Sequence, residues 1–150
     1  MKVDFRNYVA SWLPGDLGRY NGTVTIQSPR AGGEHRTFRI RTQRQDAAFA
    51  PGRRIVALLT GANNDEDYEG FGFLPEDGSD RVDVWRSRRG GVAGKSSWEW
   101  YAEMLSCPDL YVARGYRYLV SRCCRRCNRK LTTPGSVEAG IGPECAGRVA

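Results

Sequence analysis

The sequence is poor in the residues and patterns that most often perform chemistry or cross membranes. It holds a single histidine, His35, among 150 residues. A Ser/His/Asp or Cys/His arrangement would have to use that residue, and no nucleophile motif accompanies it. No phosphate loop of the form G-x-x-x-x-G-K-[ST] occurs, no G-x-G-x-x-G opens a helix after a strand, and metalloprotease and deaminase motifs are missing. Nucleotide hydrolysis by the common machines is therefore disfavoured, and a non-enzymatic protein is the expectation. No run approaches the roughly 18 apolar residues of a membrane-spanning helix. The start, MKVDFRNYVASW, lacks the basic-then-apolar order of a secretory leader. The expectation is a cytoplasmic protein with no membrane partner. The length also excludes two full-sized domains.

Apolar side chains are not scarce: hydrophobic residues make up 40% and aromatics 11%, enough to offset chain entropy and form a globular core. The net charge of +6 permits a polyanionic partner without requiring one. Its distribution says more. Positions 114 to 130 carry seven basic residues and no acidic one, whereas positions 65 to 83 carry eight acids against Arg81 alone. The molecule is expected to be electrostatically two-faced.

Patterning gives the element order. Phe5, Tyr8, Val9, Trp12 and Leu13 fall at helical spacing before Pro14-Gly15 and predict a short opening helix. After Asn21-Gly22, the segments GTVTIQS and RTFRIRTQ alternate with Val24, Ile26, Phe38 and Ile40 on one face, and Pro29 with Gly32-Gly33 between them predicts a hairpin. RRIVALLTG, GFGFL and RVDVWRS add three strands. KSSWEWYAEML predicts a helix, with Ser96 and Glu99 as a capping box, one face formed by Trp98, Tyr101, Ala102 and Leu105, and Pro108 as its stop. DLYVARGY reads as a second short helix and RYLVSR as a strand leading into the cysteines. The fold class is α+β: an antiparallel sheet of about five strands with a packed helix over residues 1–120, followed by a small metal module over 121–150.

That module carries the strongest chemical signal. Four of five cysteines lie near the C-terminus, an odd total that argues against a pure disulfide framework. Cys124 and Cys127 form a C-x-x-C knuckle able to turn two thiolates onto one ion, and Cys145 follows in GIGPEC. Pro143 suits the first turn of a terminal helix, which leaves Cys145 near its amide-rich start. Zn2+ fits these three ligands best. A structural zinc is four-coordinate, so a fourth ligand is needed. Cys123 is nearest in sequence, with Cys107, His35 or an acidic residue as alternatives. A catalytic zinc, with water at the open position and Glu138 or Glu144 as acid or base, is the less favoured reading because thiolate-rich sites are mostly structural.

Residues 124–145, CRRCNRKLTTPGSVEAGIGPEC, resemble a small C-terminal zinc-binding domain of unknown function, common in phage and actinobacterial proteins, with the pattern C-x-x-C-G-R-x-L-T-x-P-x-S-[VI]-x-x-G-[IY]-G-P-x-C. Asn128 stands where that pattern has glycine, a mild departure because asparagine also tolerates a left-handed backbone. The segments HRTFRIRTQ, FAPGRRIVALLTG, NNDEDYEGFGF and ARGY are similar to stretches that accompany this module in uncharacterised phage proteins. The resemblance implies a zinc-binding fold and a phage origin, and no reaction.

Candidate contacts to nucleic acid or a nucleotide are Arg39 and Arg41, on one face of the second strand with Thr37 and Gln43, and Arg125, Arg126, Arg129 and Lys130 in the module. Arg53 and Arg54 begin the next strand. Trp98 and Tyr101 read as core, and Trp100, on another face, as the better exposed aromatic. The acidic run at 65–67 reads as a solvated turn. Two functions follow as expectations: a phage-type accessory protein that binds nucleic acid, or a counter-defence or host-takeover factor that engages a bacterial host protein or sequesters a nucleotide messenger. Either could act as a homo-oligomer.

Overall fold

A computed structural model of the chain describes residues 17–30, 33–63, 66–76, 81–90, 97–124, 127–130 and 142–148. The expected opening helix, the Ser96 cap, Arg125, Arg126 and Glu138 lie outside the described residues.

The elements are β1 (Gly22–Gln27), β2 (His35–Thr42), β3 (Arg54–Leu59), β4 (Tyr68–Leu74), β5 (Asp83–Val84), α1 (Ser97–Ser106), α2 (Pro108–Val112), β6 (Arg117–Arg122) and α3 (Pro143–Arg148). The class is α+β, with one antiparallel six-stranded sheet in the order β5-β4-β3-β2-β1-β6. The first five strands form a meander, and the sixth, RYLVSR, returns to pair along the full length of β1. It is this strand that raises the count above about five.

Alternation places Val24 and Ile26 of β1, Phe38 and Ile40 of β2, Val56 and Leu58 of β3 and Tyr118 and Val120 of β6 on one buried face. Helix α1 covers it with Tyr101, Ala102, Met104 and Leu105, while Trp98 packs half-buried at the edge. Phe38 is the hub: its ring lies 5.5 Å from Tyr101 and 6.1 Å from Phe71. The Tyr118 hydroxyl donates to the Met104 carbonyl at 2.5 Å, which ties β6 under the same helix. Trp100 points away and is exposed, as its helical position requires. Cys107 separates α1 from α2, and Pro108 opens the second helix, where its missing N–H costs nothing.

The GFGFL segment departs from simple alternation. The β3–β4 register shifts between Val56 and Ala57, which pair with Gly72 and Gly70, so Phe71 is the extra residue of a bulge. The bulge turns Phe71 into the core and leaves Phe73 on the opposite face beside Phe49 and Trp85, at 6.0 and 5.4 Å. Gly70 permits this: a Cβ there would stand 2.6 Å from the Trp85 ring. The opposite face is not uniformly solvated either. Thr25 and Thr37 are buried there and share a hydroxyl hydrogen bond of 2.9 Å.

Phe38→Ala is expected to cost about 3–5 kcal/mol through lost contacts and a cavity between sheet and α1. Urea denaturation followed by fluorescence checks it, and an unchanged midpoint would show that the helix does not seal this face.

Candidate metal centre and the cavity beside it

The polypeptide enters the cysteine segment directly from β6. Cys123 extends the strand by one residue and forms a bridge with Lys130, and between them the Cys124 amide donates to the Arg129 carbonyl at 2.7 Å. The Asn128 amide donates back to the Cys124 carbonyl at 2.8 Å. This tight turn needs a left-handed residue, and Asn128 supplies it with φ of +63°. Asparagine pays little for that conformation, and its side chain can bond locally.

Two asparagines dock the turn on the sheet. Asn21, fully buried just before β1, donates through Nδ2 to the Cys124 carbonyl at 2.9 Å and to Asn128 Oδ1. Its own carbonyl accepts from the Cys123 amide at 2.5 Å. Asn128 Nδ2 donates to the Thr42 carbonyl at the end of β2, 3.1 Å away. The turn is thus bonded to both β1 and β2.

The sulfurs of Cys124, Cys127 and Cys145 lie within 4.8 Å of one another. Cys145 is the third residue of α3, after Pro143 and Glu144. Cys124 and Cys145 are buried and Cys127 is exposed. The donor set fits a thiophilic ion: metal–sulfur bonds of about 2.3 Å in a tetrahedron place sulfurs roughly 3.8 Å apart, inside the observed limit. Burial, reinforced by hydrogen bonds that the Cys145 thiol donates to Cys124 and Cys127 and by their charge, pushes it up from 9.0 to about 11. The Cys145 thiol thus holds its proton, and a divalent cation is what would reverse that balance.

Cys123 is placed elsewhere. Successive side chains of an extended segment point to opposite sides, and Cys123 lines a neighbouring cavity, outside the group of three. Burial raises its thiol pKa, with Lys130 and Arg41 acting in the opposite direction. His35 sits at the far end of β2 opposite Gln27, and Cys107 is exposed between the helices. Among the described residues, no other His, Cys, Asp or Glu joins the three sulfurs within that distance.

Of the basic residues, the structure brings Arg39 and Arg41 together on the wall of that cavity, which measures about 220 Å³. The Arg39 guanidinium lies 4.3 Å over the Tyr68 ring and is half-buried; burial, then the charge of Arg41, lowers its pKa. Arg41, Arg129 and Lys130 are exposed. Arg53 and Arg54 are not part of the cavity wall. Arg54 donates to the carbonyls of Gly18, Leu17 and Tyr20, capping the short 3-10 turn at Leu17–Arg19, and Arg53 lies over Phe73 and faces Glu76. Sequence reasoning missed Tyr68 as the platform for Arg39 and missed both asparagines as clamps. Asn21-Gly22 carried a turn signal, and nothing local marked its bond to a residue more than 100 positions away.

The chain as purified is expected to carry one equivalent of a thiophilic divalent metal, and Cys127→Ser is expected to lose most of it, as read by elemental analysis. Uptake must displace thiol protons, so apparent affinity should fall as pH falls, by about tenfold per unit for each proton released. In the metal-free chain the sign reverses. A thiol held protonated in the fold favours folding below pH 9.0 and loses that contribution as pH rises towards about 11. A metal-free product with α3 fully ordered would refute the site.

Residues 113–150 match a family of unknown function, DUF6011. The match takes in β6, the knuckle and α3, and leaves β1 to β5 outside it. No curated protein and no solved structure matches the chain. Its cysteine-bearing end is therefore similar to a family for which no activity is described.

Proposed function

We propose that this chain is a non-catalytic binding protein of phage type, in which a structural zinc ion orders the C-terminal segment and a basic face contacts nucleic acid. The observation that carries the reading is the convergence of three thiols in a knuckle whose Cys123 and Asn128 line one cavity with Arg39 and Arg41. Sulfur-rich coordination favours zinc among the divalent ions and favours a structural over a catalytic role. The ion would be held by Cys124, Cys127 and Cys145, and its charge would stabilise the thiolates and lock α3 to the knuckle. The phage attribution rests on the resemblance of residues 124–145 alone.

The chain's own residues supply the binding chemistry. Arg39 and Arg41 stand two positions apart on one strand, so their guanidinium forks address the same side of the sheet. Arg129 and Lys130 follow in the knuckle, and the Cys123–Lys130 bridge brings the latter to the strand that carries Cys123. Among the described residues Arg41 makes no ion pair with a carboxylate. An exposed arginine of this kind binds phosphate by releasing counterions.

Zinc-loaded protein titrated with labelled single-stranded and duplex oligonucleotides is expected to lose affinity steeply with salt. Arg41→Ala and Lys130→Ala should each reduce the log–log slope by about 0.7–0.9. Chelation should abolish binding together with the order of the C-terminal segment. An affinity that stays flat from low to moderate salt overturns the reading.

A further inference from the structure

The cavity at the junction of sheet and knuckle has features that an open basic face does not need. It is enclosed by the start of β1, the middle of β2, Tyr68 at the start of β4, and the knuckle residues Cys123 and Asn128. Among the described lining residues, two are arginines and none is acidic. Arg39 is held on the Tyr68 ring, so its orientation is set before any ligand arrives. Two like charges share a partly dry wall, an arrangement that is relieved when an anion sits between them. The rest of the wall is largely apolar, with Gly22 and the half-buried Tyr68 contributing to it.

We infer that this cavity is a mononucleotide subsite that takes one phosphomonoester between Arg39 and Arg41 and lays the attached nucleoside along Tyr68. The inference rests on the proposed nucleic-acid reading and narrows it. A volume of about 220 Å³ admits a single nucleotide unit and no internal stretch of duplex. Two sources present the same chemistry: a free mononucleotide, or the phosphorylated end of a strand.

The test uses zinc-loaded, full-length protein and a labelled single-stranded oligonucleotide with either a 5′-phosphate or a 5′-hydroxyl. Adenosine 5′-monophosphate, adenosine and inorganic phosphate serve as competitors. The phosphorylated end is expected to bind about tenfold tighter, the worth of one charge-assisted bidentate contact. Adenosine monophosphate should displace it at concentrations where adenosine and phosphate alone do not, and should shift the Gly22 and Thr23 amide signals in NMR spectra. Arg41→Ala, at an exposed side chain that leaves the core intact, should erase the preference for the phosphorylated end. Arg39→Lys should weaken it while melting behaviour stays unchanged. Equal binding of both ends without competition by the monophosphate overturns the subsite and leaves the basic face standing. Binding of the monophosphate with no oligonucleotide bound upholds the subsite and removes the polymer reading. Absence of binding by either overturns both.

Discussion

Three thiols brought within 4.8 Å of one another form the constraint on which the C-terminal end depends. Cys124 and Cys145 are buried there, and a bound cation would bond the knuckle to α3 through their sulfurs. Helix α3 has six residues, far below the length at which a helix holds itself together in water. Its anchorage through Cys145 therefore has to come from the sulfur cluster or from packing, and the cluster is the contact whose chemistry demands that geometry.

The cluster in turn stands on the sheet. Asn21 and Asn128 bond the knuckle to the beginning of β1 and the end of β2, and the Cys123 amide continues the β1–β6 ladder by one more bond to the Asn21 carbonyl. The turn that carries two of the three clustered thiols is thus mechanically continuous with a meander whose stability comes from apolar burial around Phe38 and Phe71. The cavity is a by-product of this joint: it opens where a turn of fixed shape meets a strand whose outward side chains are arginines. The proposed binding site and the candidate metal site share the same backbone there, so perturbing one is expected to perturb the other.

Much of the fold was legible because it is local. Val24, Ile26, Phe38 and Ile40 alternate as strands that bury one face must, and Trp98, Tyr101, Ala102 and Leu105 repeat at the period of a helix lying on that face. The left-handed backbone at Asn128 and the proline-opened α3 were readable for the same reason, since each follows from the conformational range of one residue. The bulge at Phe71 was not. GFGFL alternates perfectly as a string, and only the pairing with β3, together with the approach of Trp85 to Gly70, turns its two phenylalanines to opposite faces.

The candidate site divides in the same way. Sequence alone determined that Cys124, Cys127 and Cys145 belong together, because ligand spacing within a knuckle and placement at a helix start are short-range properties. Tertiary structure decided that Cys123 leaves that group for the cavity, that Arg54 serves a backbone turn while Arg39 rests on Tyr68, and that Asn21 reaches Cys124 across more than 100 residues. The physical reason is that a side chain's partner is chosen by whichever strand lies beside it, and strand neighbours are set by the burial of the whole sheet, which no window of sequence contains.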